Sequence, residues 1–128
     1  MTEPKARILV MDDEIGVGLM LKAGLEMHGY IVRYESRSTD AIQVCRDFQP
    51  MLILLDVDMP VKDGGEVAAE LQRDASLRRI PVIFLTSLVS KEEAAKRKAS
   101  DENLLAKPIP MAELVARIRA VLHPKEPQ

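Results

Sequence analysis

The stretch Met51-Leu52-Ile53-Leu54-Leu55-Asp56 is an unbroken apolar run that stops on a carboxylate. A run this short suits a parallel strand that is buried on both faces of its sheet. Three other runs share the pattern: residues 8–11 stop before Asp12 and Asp13, residues 82–85 before Thr86, and residues 104–106 before Lys107. Because the carboxyl ends of parallel strands meet at one edge, that edge is predicted to carry three carboxylates, a hydroxyl and an ammonium.

The segments between these runs predict helices and one further strand. Residues 31–34 alternate weakly and predict the second strand, and residues 91–99 predict a helix that is charged on most sides. Apolar residues at helical spacing predict the other helices over residues 15–28, 41–48, 66–74 and 111–122. Gly29 is expected to end the first helix, and Ser38 or Thr39 to cap the second. This alternation predicts an α/β fold, a doubly wound (βα)5 domain with a five-stranded parallel sheet and right-handed crossovers.

Length, charge and cysteine content narrow the class of protein. The chain has 128 residues, enough for one core and too few for two ordinary domains. Its formal net charge is −2, with 18 basic and 20 acidic residues and no long basic block, so direct binding to nucleic acid is not expected. Cys45 is the only cysteine, which excludes an intrachain disulfide. The first apolar stretch stops at Asp12, too soon for a signal sequence or a membrane span, so a cytoplasmic location is expected.

The predicted carboxylate cluster indicates a cation site. Either Asp12 or Asp13 could simply cap the first helix. Together with Asp56, however, they would place three negative charges in one shallow pocket, against one positive charge from Lys107. Hard oxygen ligands in a small open site favour Mg²⁺.

Asp56 is the predicted nucleophile of this edge. A carboxylate held beside a metal can attack phosphorus. A phosphoryl group on Asp56 would present oxygens that need a hydroxyl, an ammonium and a metal, and Thr86 and Lys107 supply the first two. Each of the two residues carries little information alone, so this prediction depends on the whole set.

From about Arg7 to Leu122 the sequence resembles the receiver domain of two-component response regulators, including single-domain receivers of the chemotaxis and sporulation types. The matching motifs, in family order and spacing, are Val10-Met11-Asp12-Asp13-Glu14, Leu54-Leu55-Asp56-Val57-Asp58-Met59-Pro60 with Asp63-Gly64, Phe84-Leu85-Thr86-Ser87, and Ala106-Lys107-Pro108-Ile109.

The resemblance implies a flavodoxin-like strand order 2-1-3-4-5 and a role for each site residue. Asp56 would be the phosphoacceptor, and Asp12 and Asp13 would be metal-site residues together with the backbone carbonyl of Asp58. Thr86 would be the switch hydroxyl, and Lys107, followed by a cis bond to Pro108, would contact the phosphoryl group.

The resemblance also implies the partners and the domain boundary. The phosphoryl donor would be a sensor histidine kinase or a histidine phosphotransfer protein. The signal would leave through the surface of helix 91–99, the last strand and the last helix, towards a downstream protein or an effector domain absent from this chain. The receiver would span residues 1–123, with 124–128 as a flexible tail or the start of a linker. It would be a monomer or a weak phosphorylation-dependent dimer, and would catalyse only its own phosphorylation and dephosphorylation.

Three positions depart from the usual family pattern. Leu104 stands where the family often has an aromatic switch residue, and Asp58 and Leu88 stand at positions that influence how readily water reaches the acyl phosphate. Two alternatives are weighed against the receiver. One is a phosphohydrolase that uses Asp56 and Asp58 as nucleophile and general acid, and the other is an interaction module that keeps the fold without phosphorylation.

Overall fold

The computed structural model describes residues 5–87 and 103–123, and its centre is a sheet of five parallel strands. The strands are β1 (Arg7–Met11), β2 (Ile31–Glu35), β3 (Leu52–Asp56), β4 (Val82–Thr86) and β5 (Leu104–Ala106). Their spatial order is β2-β1-β3-β4-β5, which confirms the predicted topology. After β2 the chain crosses to the other side of β1, so β1 and β3 flank the point where the strand order reverses. Ligands of open parallel sheets bind outside the carboxyl ends of the strands at such a point.

Four α-helices lie in the described part of the chain: α1 (Ile15–Met27), α2 (Ala41–Phe48), α3 (Gly64–Arg73) and α4 (Met111–Leu122). The predicted helix over residues 91–99 and the predicted tail at 124–128 lie outside the described residues. Gly29 follows the end of α1 with φ of +92°, a backbone conformation that favours glycine, as expected for a helix stop.

The predicted cap of α2 was wrong. A 3-10 turn over Ser38–Asp40 leads into α2, and neither the turn nor the helix has a side-chain cap. The hydroxyl of Ser38 instead donates to the carbonyl of Pro60, 3.3 Å away in the loop after β3. A tertiary contact thus replaces the local one. The N-terminus of α3 is capped, since the Asp63 carboxylate accepts from the backbone N–H of Glu66.

The sheet separates two apolar clusters, and this explains why its central strands read as unbroken apolar runs. Alternate residues of β1 face opposite sides: Ile8 and Val10 enter one cluster, and Leu9 and Met11 the other. The first cluster also contains residues of α1 and α4: Leu21, Leu25, Leu114, Val115 and Ile118. The second also contains residues of α2 and α3: Ala41, Val44, Cys45, Val67 and Leu71. Both faces of the sheet are therefore covered, and its carboxyl edge is left to carry the polar residues.

Burial also decides the chemistry of the single thiol. Cys45 is buried in the second cluster as a free cysteine, and burial raises its pKa to about 11. The thiol is therefore a packing group. Within the described ranges, no helix is both long enough and apolar enough to cross a membrane.

Candidate functional site

Asp56 ends β3 at the centre of the carboxyl edge, and only 1% of its surface is exposed. Its Oδ1 accepts from the backbone N–H of Asp58 at 3.1 Å. Its Oδ2 has no hydrogen-bond partner among the described residues. Burial is the largest cause that raises the pKa of Asp56 to about 7; the charge of Asp12 adds to it, while the Asp58 N–H and Lys107 oppose it. The site thus holds a carboxyl group that is costly to ionise without a further positive charge.

Asp12 and Asp13 follow β1 and complete an acidic cluster with Asp56. Their carboxylate oxygens can all be grouped within 4.8 Å of one another. Asp12 is fully buried, and its Oδ1 accepts from the backbone N–H of Glu14 at 2.9 Å. Glu14 is the N-cap residue of α1 and no side chain caps that helix, so helix capping does not explain the pair. An arrangement of three close carboxylates, two of them buried, could hold a metal ion.

Lys107 brings a positive charge to this cluster from the segment after β5. Its Nζ lies 2.7 Å from Asp12 Oδ2, 3.4 Å from Asp56 Oδ1 and 3.7 Å from Glu14 Oε1. Burial alone would lower the pKa of Lys107, but the contact with Asp12 and the charges of Asp12, Asp56 and Glu14 raise it overall. Lys107 is therefore held in its charged form. The Lys107–Pro108 peptide bond is cis, as the resemblance implied.

Thr86 ends β4 beside Asp56 and is held by Asp58. The Thr86 hydroxyl donates to Asp58 Oδ2 at 3.3 Å, and the Ser87 backbone N–H approaches the same oxygen at 3.5 Å. The Asp58 carboxylate therefore points towards the end of β4 and is not one of the three clustered carboxylates. Its expected contribution to a metal site is its backbone carbonyl, and that role stays a prediction.

Two backbone features shape the loop between β3 and α3. A Cβ at Gly64 would lie 2.5 Å from the carbonyl oxygen of Asp56, so glycine is needed for α3 to begin at this distance. Earlier in the loop, the Lys62 N–H donates to the Pro60 carbonyl at 2.7 Å, and Val61 between them has φ of +68°. This is a γ-turn with positive φ, a rare and strained conformation.

The sequence analysis missed one residue that contacts the site. Tyr34, near the end of β2, donates its hydroxyl to the backbone carbonyl of Asp12 at 2.6 Å. Burial first, and then the charges of Asp12 and Asp13, raise the pKa of Tyr34, which keeps the phenol protonated as a donor. The only sequence signal was Gly18, a glycine inside α1, against which the ring lies.

The sheet order and the cluster of carboxylates, threonine and lysine at its carboxyl edge are those of a receiver. The chain belongs to the response regulator receiver domain family, whose model matches residues 8–119. Among its relatives, the transcriptional regulatory protein PrrA of Mycobacterium tuberculosis is 35% identical over 91% of this chain and 49% of its own length. The DNA-binding dual master transcriptional regulator RpaA of Synechocystis is 34% identical over 91% of this chain and 48% of its own length.

A solved structure supports the same assignment of the fold. The chemotaxis protein CheY4 of Vibrio cholerae superposes with a TM-score of 0.79 at 27% identity, covering 93% of this chain and all of that one. The chain spans about half the length of the regulators that it matches in sequence. It is therefore a receiver domain of the two-component type, a class of signalling module that interacts with histidine kinases and effectors. The family match does not favour the phosphohydrolase or the unphosphorylated module.

Proposed function

We propose that this receiver accepts one phosphoryl group on Asp56 from the phosphohistidine of a kinase or phosphotransfer protein, in a Mg²⁺-dependent reaction. The observation that carries the proposal is the state of Asp56 itself. It is a buried carboxylate at a strand end, with one oxygen bonded to a backbone N–H and the other without a partner among the described residues. A buried acceptor oxygen without a donor is costly unless a function uses it.

The residues present fit a hard divalent cation. The donor set is three carboxylates; Asp12 Oδ2 is buried and pairs with Lys107, and Asp56 Oδ2 is buried without a hydrogen bond in the described part of the chain. Asp12, Asp13 and Asp56, with the backbone carbonyl of Asp58, would hold Mg²⁺. Mg²⁺ prefers oxygen ligands and keeps several waters, which suits a site open to a substrate phosphate. When bound, it would neutralise charge on the phosphoryl oxygens during transfer.

The chain's own residues account for the transfer step. Ionised Asp56 attacks the phosphorus through Oδ2, a new O–P bond forms, and the P–N bond of the phosphohistidine breaks, with the electron pair left on the imidazole nitrogen. Lys107, already 3.4 Å from Asp56, is placed to stabilise negative charge on the phosphoryl oxygens. The Thr86 hydroxyl, at the adjacent strand end, would leave Asp58 and donate to one of those oxygens.

The surface beside the site supports docking of the phosphoryl donor. Ile15, Leu19 and Met20 on α1 are each more than half exposed, and α1 begins directly after the acidic residues. Exposed apolar side chains that form a contiguous patch are a feature of interaction sites. We therefore propose that α1 contacts the phosphohistidine-bearing domain of the partner.

The output and the boundary are part of the same proposal. The matched relatives are transcriptional regulators about twice as long as this chain. Phosphorylation would change the surface around β5 and α4 and so alter binding to a partner or to an effector domain. The family match ends at residue 119 and α4 ends at Leu122, which supports residues 1–123 as the receiver and 124–128 as a tail or linker. We expect a monomer or a weak phosphorylation-dependent dimer.

Intact-mass measurement after incubation with acetyl phosphate and Mg²⁺ tests the phosphoacceptor. The wild type should gain the mass of one phosphoryl group, and chelation of Mg²⁺ should prevent this. Asp56→Asn should gain none. Asp63→Asn is the matched control, because Asp63 is exposed and asparagine also caps helices, so this variant should be labelled like the wild type. Undiminished labelling of Asp56→Asn would show that another residue is the acceptor.

A further inference from the structure

Both backbone groups of Asp12 are held by the edge strand β2. The Asp12 N–H donates to the carbonyl of Glu35 at 3.2 Å, and the Asp12 carbonyl accepts from the Tyr34 hydroxyl at 2.6 Å. That carbonyl belongs to the peptide bond between Asp12 and Asp13, two members of the acidic cluster. Rotation of this peptide would change the spacing between their side chains. Tyr34 therefore bonds to the one peptide that sets the relative positions of these two carboxylates.

A glycine in α1 makes this contact possible. A Cβ at Gly18 would overlap Cε1 and Cζ of Tyr34, so any side chain there would displace the ring. Glycine inside a helix is destabilising relative to alanine. The first helix thus carries a destabilising residue at the place where the ring must pass to reach Asp12.

We infer that Tyr34 is a positioning residue for the divalent cation, acting through the Asp12–Asp13 peptide. The inference rests on the proposed Mg²⁺ site. Carboxylates that must converge on one cation repel each other before it arrives, so a peptide that is already oriented lowers the cost of binding. Without the Tyr34 hydroxyl, the Asp12 carbonyl loses its donor and the peptide is less restrained.

The test compares Mg²⁺ affinity in three proteins: wild type, Tyr34→Phe and Tyr30→Phe. Tyr30→Phe is the matched control, because it removes the only other tyrosine hydroxyl of the chain. Affinity is read from the amide chemical shifts of Asp13 and Glu14 as Mg²⁺ is added. Tyr34→Phe should weaken binding about tenfold, the low end of the usual effect of losing a partner one step from a metal ligand. Tyr30→Phe should stay within about twofold of the wild type.

A second readout uses the composition of the chain. It has no tryptophan and two tyrosines, so in Tyr30→Phe the tyrosine emission comes from Tyr34 alone. We expect this emission to change on addition of Mg²⁺, with the same midpoint as the amide shifts. Gly18→Ala keeps the hydroxyl but displaces the ring, and it should weaken Mg²⁺ binding as Tyr34→Phe does. Combining the two substitutions should add little further loss, since both remove the same contact.

The outcomes separate this inference from the proposed function. Equal Mg²⁺ affinity in wild type and Tyr34→Phe, with a lower Tm for the variant in EDTA, would show a purely structural tyrosine and overturn this inference alone. A wild type whose amide shifts do not respond to Mg²⁺ would overturn the proposed metal site, and this inference with it. A midpoint of Tyr34 emission unrelated to that of the amide shifts would also count against it.

Discussion

Val61, in the loop after β3, has a strained backbone conformation. Its φ of +68° lies in the left-handed region, which is unfavourable for a β-branched side chain, and the residue is 89% exposed. Strain of this kind costs about 1–3 kcal/mol of folding free energy. Because the Val61 side chain is exposed, its packing offsets little of this cost. The turn lies in the loop that also carries Asp58 and leads to Gly64, next to Asp56. Strained residues often cluster at functional sites.

We predict that Val61→Gly stabilises the protein. Glycine raises the conformational entropy of the unfolded chain, which lowers stability by about 0.4–1 kcal/mol. Relief of the backbone strain should outweigh this loss, so we expect the free energy of unfolding to rise by about 1 kcal/mol. For a domain of this size that is a rise in Tm of about 4 °C. Thermal unfolding in the absence of Mg²⁺ measures it. Val61→Ala keeps a Cβ but not the branch, so its gain should be smaller; a loss of stability in Val61→Gly would rule out strain at this turn.

At the scale of elements, β4 and β5 connect the site to the proposed output surface. The carbonyl of Thr86 accepts from the Lys107 N–H at 2.8 Å, and Thr86 pairs with Ala106 in the sheet. The same threonine is bonded to Asp58 through its hydroxyl. Leu104 of β5 is half-buried and shorter than an aromatic ring, so a change of its rotamer moves less surface. We therefore expect the signal to depend more on backbone shifts around the ends of β4 and β5.

We predict that beryllofluoride, a mimic of the phosphoryl group, produces its largest amide shift changes at residues 86–98 and 104–107. In Asp58→Ala the chemical shift of the Ser87 amide should differ from that of the wild type before the mimic is added, because the carboxylate near this amide is gone. The additional shift of Ser87 when the mimic is added should then be smaller than in the wild type. Two-dimensional amide spectra of both proteins with and without the mimic test this. Changes concentrated in α1 and α2 would place the output surface elsewhere.

The elements also show what could be predicted from the sequence and what could not. The strands and the meeting of Asp12, Asp56, Thr86 and Lys107 were predictable, because apolar runs mark the strands and parallel strands end at one edge. The order of the strands was predicted only through the resemblance to receivers. The cap of α2 was not, since a loop residue distant in sequence bonds to Ser38. The direction of the Asp58 carboxylate and the Tyr34 contact were missed for the same reason. Side chains that bond across the sheet leave no periodic signal in the chain.

At the scale of the whole molecule, the site costs stability that a cation can restore. The pKa of Asp56 is about 7 in the folded protein, against an ordinary value of 3.8. Between these two pH values the folded state holds a proton that the unfolded state has released. The contribution of Asp56 to the free energy of unfolding therefore falls as pH rises from about 4 to 7, and the loss is complete above that range.

We predict that Asp56→Asn is more stable than the wild type above pH 7 in EDTA, and that this difference shrinks towards zero near pH 4. The other titrating groups are common to both proteins, so the difference isolates Asp56. Urea unfolding at several pH values measures it. Saturating Mg²⁺ at pH 8 should stabilise the wild type more than the variant, since a ligand bound only by the folded state adds to its stability. A difference that does not vary with pH would contradict the raised pKa.

The distribution of the site along the sequence has a consequence for the order of events in a cell. Asp12 follows the first strand, Asp56 ends the third, and Lys107 follows the last described strand, yet their charged atoms are in contact. No two of these residues belong to strands that are consecutive in the sequence. A segment of two consecutive strands and the helix between them therefore does not contain the complete site. A ribosome-bound chain that has not yet released Lys107 cannot make these contacts. The proposed phosphoryl transfer would thus become possible only after the fifth strand has joined the sheet, and a product truncated before Lys107 would lack the site.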